Sequence, residues 1–444
     1  MHPKKVLILA YDFPPYVSVG GLRPYAWYKY FSEFGIFPIV VTRQWQNKYG
    51  NELDYAAASE YENDIIEQTA SGIIIKTAYK PNLSNKLILK YGLSRFSLLR
   101  KLITLFYELF QFVFNIGPKS PLYFAAKSYL KKNKVDCIIA TGEPFVLFKY
   151  ASVLSKLYKI PWCADYRDPW SKKLLDTNNL LINSFHSYFE KKIVNTAQNI
   201  FTVNEYFKHL ISNRFQDIPI YNIANGFDPD SIMSVKNIQQ NNSEFSIAYI
   251  GYIYPWHPVN SFLDVFRSFV ISNPSFKLKL NFYGINNASE FNKMIEEKFN
   301  DIQQYILIHN KIPNYQLLPI LAQQNVLLLF NYYSFPGTKI YDYIALNRKI
   351  LFCYSNDEQA LFLKSHTFPY DNSHESSDKF QEDLIKETNS GVIIENEEHL
   401  KNVLLELYNE FNTYGFIHCN TVNADKYSRK HQVKKLAEII QNTI

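Results

Sequence analysis

The chain has 444 residues, too long for one ordinary hydrophobic core, so two or three domains are expected. With 47% hydrophobic and 20% charged residues its composition is that of a folded globular protein and excludes a disordered or fibrous one. A formal charge of +6 suits an anionic small ligand or an acidic membrane surface and is too weak to indicate nucleic acid.

The N-terminal Met1-His2-Pro3-Lys4-Lys5 leads into the apolar run 6–10, which is shorter than a signal peptide and reads as a first strand. No stretch reaches the roughly 20 apolar residues of a membrane span, so a cytoplasmic location is expected. Beyond this run, short β-rich apolar segments alternate with helical patterns, the rhythm of βα units and parallel sheets. Strands are expected near 5–10, 37–42, 72–76, 136–140, 161–165, 199–203 and 220–224. In the second half they are expected near 245–250, 278–283, 305–309, 325–330, 349–354 and 391–394. The fold class is therefore α/β, with two doubly wound Rossmann-like domains. The Asn/Gln-rich stretch 231–243 reads as the linker between domains 1–235 and 244–424, and the polar stretch 371–390 as a surface insertion. Cys137, Cys163, Cys353 and Cys419 are far apart without CxxC spacing, which predicts buried free thiols.

The first motif follows the opening strand: Tyr11-Asp12-Phe13-Pro14-Pro15, then Gly20-Gly21-Leu22-Arg23-Pro24. Pro24 suits the first turn of a helix, and Trp27, Tyr30, Phe31 and Phe34 follow at helical spacing, with Gly35 as the stop. Glycine is scarce, 14 residues against an average of about 7%, so each one is informative. Gly20 and Gly21 stand where a strand hands over to a helix N-terminus, and backbone N–H groups there can approach an anion. The pattern is not GxGxxG, which argues against NAD or FAD.

Further along, 84–119 sets Lys86, Lys90, Arg95, Arg100, Lys101 and Lys119 around an apolar run from Leu102 to Ile116, with Glu108 the only acid. Such a basic amphipathic segment either lies in a membrane interface or packs on the first sheet. In Ile160-Pro161-Trp162-Cys163-Ala164-Asp165-Tyr166-Arg167-Asp168-Pro169-Trp170 an apolar strand ends in charged residues. Ligands of open α/β sheets bind at the carboxyl ends of strands. Arg167 can grip a phosphate or a hydroxyl-bearing ligand there, and Asp165 or Asp168 can orient an acceptor hydroxyl; an Arg–Asp pair closing the loop is the alternative.

The third motif, Gly337-Thr338-Lys339-Ile340-Tyr341-Asp342, follows the apolar strand ending at Phe330. Thr338 is a natural N-cap, which puts Lys339 and Asp342 three apart on one helical face. A lysine in the first turn opposes the helix dipole, a local penalty that a bound diphosphate would relieve, with Asp342 accepting from ribose hydroxyls. The alternative is a surface Lys339–Asp342 ion pair. Asp228-Pro229-Asp230 mimics a DxD metal motif but reads as a structural loop, and neither His257 nor His309 has metal-ligand spacing.

In order, these pieces resemble the retaining GT-B glycosyltransferases of family four, the group-one transferases of bacterial surface polysaccharide and lipopolysaccharide synthesis. The likeness runs from FPP…GG…R through ATGEP at 140–144, IPWCADYRDPW, IANGFD, YIGYIYPW and GTKIYDYIA to Tyr427-Ser428-Arg429-Lys430. The resemblance implies two facing Rossmann-like domains, a C-terminal helix (425–444) crossing back to the first, and metal-independent transfer from a nucleotide-sugar. It implies no cofactor and a glycan or polyprenyl-linked acceptor. Asp342 then stands at the family's ribose-binding glutamate, with Gly337, Thr338 and Lys339 at the diphosphate and Gly20 and Gly21 facing it from the first domain. Gly251 and Tyr252 would line the donor cleft. Arg167 and Asp168 occupy the loop where many relatives carry a catalytic-site His, and Arg23 and Glu143 fall to the acceptor. Two departures stand out. Ser334 sits where the family has an acidic residue, and the usual Arg/Lys pair after the Gly251 strand is absent, leaving His257 or Lys311 as substitutes. A nucleotide-sugar epimerase and a degenerate subunit that binds a glycan or a partner transferase are the alternative functions.

Overall fold

A computed structural model describes residues 3–46, 52–171, 180–331, 337–354, 358, 362 and 379–444. It divides into two units, 1–224 with 429–444, and 225–428.

The first unit is built on eight strands: β1 (Lys4–Leu9), β2 (Ile36–Arg43), β3 (Ile65–Gln68), β4 (Ile73–Thr77), β5 (Cys137–Gly142), β6 (Trp162–Tyr166), β7 (Asn199–Thr202) and β8 (Ile220–Asn222). Their order is β3-β4-β2-β1-β5-β6-β7-β8, parallel throughout except for β3 against β4. The central strands are covered on both faces, which is why Val6 to Leu9 and Cys137 to Ala140 read as continuous apolar runs rather than alternating ones. Register follows from those runs, with Val6 opposite both Pro38 and Cys137. The antiparallel edge strand β3 was not expected. Its sequence, Ile-Ile-Glu-Gln, is too short and too polar to stand out, as suits an exposed edge.

The helix Val19–Tyr30 crosses from β1 to β2 and buries Trp27 and Tyr30; Phe31 continues the stripe and Gly35 closes it at φ 74°, as its position suggested. The helix begins at Val19, where the Ser18 hydroxyl caps it by accepting from the Gly20 N–H at 3.1 Å, so Pro24, expected in the first turn, lies inside the helix. The C-terminal helix Arg429–Thr443 belongs to this unit and lays Val433, Leu436, Ala437 and Ile440 into the same cluster as Trp27 and Phe31.

The second unit has six parallel strands: β9 (Phe245–Ile250), β10 (Leu278–Tyr283), β11 (Ile306–His309), β12 (Val326–Phe330), β13 (Lys349–Cys353) and β14 (Gly391–Ile394), in the order β11-β10-β9-β12-β13-β14. The stretch 231–243, expected as a linker, lies inside this unit. The Asn325 amide donates to Gln240 Oε1 and to the Asn241 carbonyl, both at 3.0 Å, and the Gln240 amide donates to the Ile417 carbonyl at 2.7 Å. Polarity there marks side chains that hold backbone, not slack chain. Of the expected insertion 371–390, residues 371–378 lie outside the described residues, and Phe380–Thr388 is a helix. All four cysteines are free; Cys137, Cys163 and Cys353 are buried and Cys419 is only half-buried.

Candidate functional site

Each sheet has one point where the chain reverses its direction of winding. In the first unit β1 lies between β2 and β5; in the second β9 lies between β10 and β12. Loops leaving the carboxyl ends of strands on either side of such a point diverge and open a crevice, the usual ligand site of open α/β sheets.

In the first unit the polar groups gather where β1, β5 and β6 end. Asp12, just after β1, accepts from the Ser18 hydroxyl at 2.7 Å. Burial raises its pKa, opposed by the Ser18 hydrogen bond and then by the positive charges of Arg167, Arg43 and Lys119. Arg167, after β6, donates from Nε to the Gly142 carbonyl at 2.5 Å and from a terminal nitrogen to the Glu143 carbonyl at 2.6 Å. Its other terminal nitrogen presses on Gly20, where a Cβ would collide with it and would lie 3.0 Å from Asp12 Oδ2. Gly20 is thus a glycine because a guanidinium occupies the place of its side chain. Gly21 instead lets the helix run close over the backbone of Phe13, 3.3 Å from where a Cβ would be. Lys119 joins this cluster. Burial lowers its pKa while Glu108, Glu143 and Asp12 pull it back up.

Arg23 and Asp165, expected to meet substrate, meet each other. Asp165 is wholly buried; Arg23 reaches its two oxygens from Nε at 2.9 and 3.2 Å, and a terminal nitrogen lies 2.7 Å away. Thr141 donates to the same carboxylate at 2.8 Å, and Arg23 also donates to the Ile223 carbonyl at 2.5 Å. This is a strut that ties the glycine helix to β5, β6 and the segment after β8, and it leaves Asp165 no open face for an acceptor. Asp168 and Glu143 are exposed in the turns after β6 and β5.

In the second unit, Gly251 ends β9 at φ 80°, and Lys339 opens the helix Lys339–Leu346 that follows β12. The Lys339 ammonium donates to the Ile250 carbonyl at 2.5 Å and to the Tyr249 hydroxyl at 3.3 Å, and lies 4.5 Å from the Tyr249 ring centroid. A Cβ on Gly251 would sit 3.3 Å from that nitrogen. Lys339 thus reaches back to the end of β9. Its amine is enclosed, and burial lowers its pKa to about 7. His257, on the loop after β9, is buried beside it; desolvation and then the charge of Lys339 hold its pKa well below the usual imidazole value. The same loop stacks Tyr254 on Trp256 at 4.5 Å, and Trp256 donates to the Asn331 carbonyl at 3.2 Å.

Asp342 is half-buried in the first turn of the Lys339 helix. Thr338 holds the N-cap position, but its hydroxyl makes no capping hydrogen bond because its backbone is already helical there (φ −98°, ψ −24°). Gly337 precedes it, while Ser334, with 332–336, lies outside the described residues. Tyr252 is exposed and accepts through its carbonyl from the Tyr249 hydroxyl at 2.5 Å. Lys311 is exposed beyond β11, with its backbone against the Gly284 turn; that is the edge of the sheet, two strands from β9. His309 bonds Asn281 at 3.0 Å and stacks on Tyr283. Asp228 caps a short helix by accepting from the Asp230 N–H, the structural part expected of it. Among the described residues no group of three or more His, Cys, Asp or Glu could hold a metal ion.

Asp12 and Tyr249 were not singled out from sequence. Asp12 was accessible to the rule that flagged Asp165, since it is a charged residue directly after a strand. Tyr249 was not, because an aromatic within a strand reads as core.

No protein-family model matches the chain, and no curated protein is similar to it in sequence. Solved structures do match over its whole length. Sucrose-phosphate synthase from Thermosynechococcus elongatus superposes with a TM-score of 0.56 at 12% identity, over 98% of this chain and 94% of the other. Anabaena HepE, solved in complex with UDP-glucose, gives 0.54 at 11% identity, over 99% and 100%. A glycosyltransferase from Rickettsia africae gives 0.56 at 14%, over 100% and 99%. At such identities the likeness establishes the fold. It is α/β, with two Rossmann-like parallel-sheet units, as in GT-B glycosyltransferases.

Proposed function

We propose that the protein is a nucleotide-sugar-dependent glycosyltransferase that binds its donor diphosphate at the Lys339–Gly251 end of the second unit. The observation that carries this reading is the Lys339 ammonium drawn onto the Ile250 carbonyl and the Tyr249 hydroxyl at the switch point of a six-stranded parallel sheet, where desolvation lowers its pKa. An amine held there costs free energy that a bound anion would recover, and the Gly251 backbone leaves room for phosphate oxygens to approach. Asp342, one helical turn on, accepts from the ribose hydroxyls. The fold shared with HepE, solved with UDP-glucose, supports the assignment of donor class.

In the reaction, the bond between the anomeric carbon and the diphosphate oxygen breaks, and a bond from an acceptor hydroxyl forms on the same face, retaining configuration. The hydroxyl proton passes to the departing phosphate. Lys339 and the helix N-terminus stabilise the charge that develops on that phosphate, so no metal or cofactor is invoked. On the first unit, Asp12 and Arg167 replace Asp165 and Arg23 as the groups that orient the acceptor, a glycan or a lipid-linked sugar of bacterial surface polysaccharide or lipopolysaccharide synthesis. A lipid-linked acceptor would hold the enzyme at the inner face of the cytoplasmic membrane.

Thermal stabilisation across a panel of UDP-, GDP-, CMP-, dTDP- and ADP-sugars tests the donor assignment. A shift with one donor that disappears in Asp342→Ala is expected. A well-folded protein that responds to none of them would move the assignment to a subunit that binds a glycan or a partner transferase.

A further inference from the structure

The helix Ser97–Phe110 has no buried residue, although its sequence is mostly apolar. Leu98, Leu102, Leu105, Phe106 and Phe110 fall at i, i+4, i+7, i+8 and i+12, one continuous face, and all are exposed; Leu98 is 72% and Leu102 57% accessible. The preceding helix, Leu83–Tyr91, adds exposed Leu83 and Leu89, the turn between them adds Leu93 and Phe96, and the segment after adds Val113 and Phe114. Soluble monomers rarely leave apolar patches of this extent uncovered.

This hairpin is a built structure. Ser84 Oγ lies 3.3 Å from Thr104 Oγ1 across the two helices, and Arg100 closes the turn by donating to the carbonyls of Gly92 at 3.2 Å and Leu93 at 2.7 Å. At its base, Asn82 caps the first helix and Asn85 donates to the hydroxyl of the buried Tyr79. At its exit Gln111 and Phe112 are buried, with Lys149 donating to the Gln111 carbonyl at 2.9 Å and Phe112 stacked on Trp170. The domain thus holds both ends and presents the apolar face.

The charge around that face is predominantly positive. Lys86, Lys90, Arg95 and Lys101 are exposed along the hairpin, and Glu108 is the one acid within it. Long basic side chains beside exposed Leu and Phe match an interface with apolar chains below and anionic headgroups above, since their stems lie along the apolar layer while the charges reach phosphate. A protein partner for this face would need an apolar groove rimmed with acids; an anionic bilayer supplies both layers at once.

We propose that residues 83–116 form a docking hairpin for an anionic lipid bilayer. The apolar face enters the headgroup boundary, and the four exposed cations select membranes that carry anionic lipid. Docking as such is independent of the donor assignment. Its use rests on that reading: the hairpin leads through Gly117 to Lys119, which feels the charges of Asp12 and Glu143, so a membrane-borne acceptor would arrive beside the cluster of the first unit.

The test is sedimentation of the full chain with phosphatidylcholine vesicles and with vesicles containing one-third phosphatidylglycerol. Binding to the anionic vesicles at least tenfold tighter than to neutral ones is expected, weakening with added salt. Leu102→Glu with Phe106→Glu should abolish it, and Lys86→Ser, Lys90→Ser, Arg95→Ser and Lys101→Ser together should reduce it at least tenfold. Because neither set removes a buried side chain, the melting temperature and nucleotide-sugar binding should stay as in the wild type. A Phe106→Trp reporter should be quenched by brominated lipid. Failure to sediment with anionic vesicles, or sedimentation unchanged in the double glutamate variant, overturns the proposal. So does a wild-type dimer that the double glutamate variant dissociates in the absence of lipid, since the face would then serve a second copy of the chain.

Discussion

Two cations, one in each unit, stand in the helices that follow β1 and β12, and they have opposite fates. Arg23 is locked onto Asp165, with Thr141 completing the carboxylate's shell, and the arrangement ties together elements far apart in sequence. Lys339 is enclosed against the Ile250 carbonyl and the Tyr249 ring, and burial dominates its titration. A buried cation matched to a carboxylate stabilises structure, and removing one partner strands the other. An amine whose charge desolvation disfavours would gain from a bound anion, as the proposed donor site requires.

That contrast can be broken in order of effect. Arg23→Met should destabilise the first unit by about 3–5 kcal/mol, the typical cost of leaving a buried charge without its partner; chemical denaturation of the variant measures it. Lys339→Ala should leave the melting temperature near or above wild type while turnover falls by about 10²–10³-fold, the usual result of removing one transition-state donor. If Lys339→Ala unfolds the protein and Arg23→Met only slows it, the two roles are exchanged. Asp342→Ala should weaken nucleotide binding by about 1.5–3 kcal/mol, the range for a hydrogen bond to a charged group, without a comparable loss of stability.

The pH dependence of Lys339 follows with its sign. A lysine whose folded value is lowered from 10.5 to about 7 binds fewer protons folded than unfolded between those limits. Its contribution to stability therefore grows as pH rises through that window and is smallest below 7. Donor binding runs the other way. A diphosphate favours the charged amine, so affinity should fall by up to about tenfold per pH unit above 7, and Lys339→Met should flatten the profile. The smallest effect is Gly20→Ala. The new methyl displaces the end of the flexible Arg167 side chain, so stability should change by less than about 1 kcal/mol while the KM for acceptor rises.

Much of this was legible in the sequence. The continuous apolar runs of doubly covered parallel strands mark themselves, and every expected strand position is occupied in the structure. Strand β3 escaped because exposed edges are short and polar, and the Asn/Gln stretch misled because amides that staple backbone have the composition of a linker. For the site, position at a strand's end nominated Asp165 and Arg167, a place in the first turn of a helix nominated Lys339, and the family resemblance nominated Arg23. Only the three-dimensional pairing separated the strut from the rest, because residues 142 apart, Arg23 and Asp165, carry no local signature of their bond. Conversely, the apolar run of the hairpin was visible, but whether it packs on the sheet or faces outward is a matter of tertiary contacts, and the helix Ser97–Phe110 buries nothing.

The most direct test of donor binding at Lys339 is a calorimetric titration of the best-stabilising nucleotide-sugar at pH 7.5, run in two buffers of different ionisation enthalpy. Uptake of a fraction of a proton on binding, absent in Lys339→Met, is the expected result. Binding without proton uptake, or uptake that survives in Lys339→Met, would contradict it.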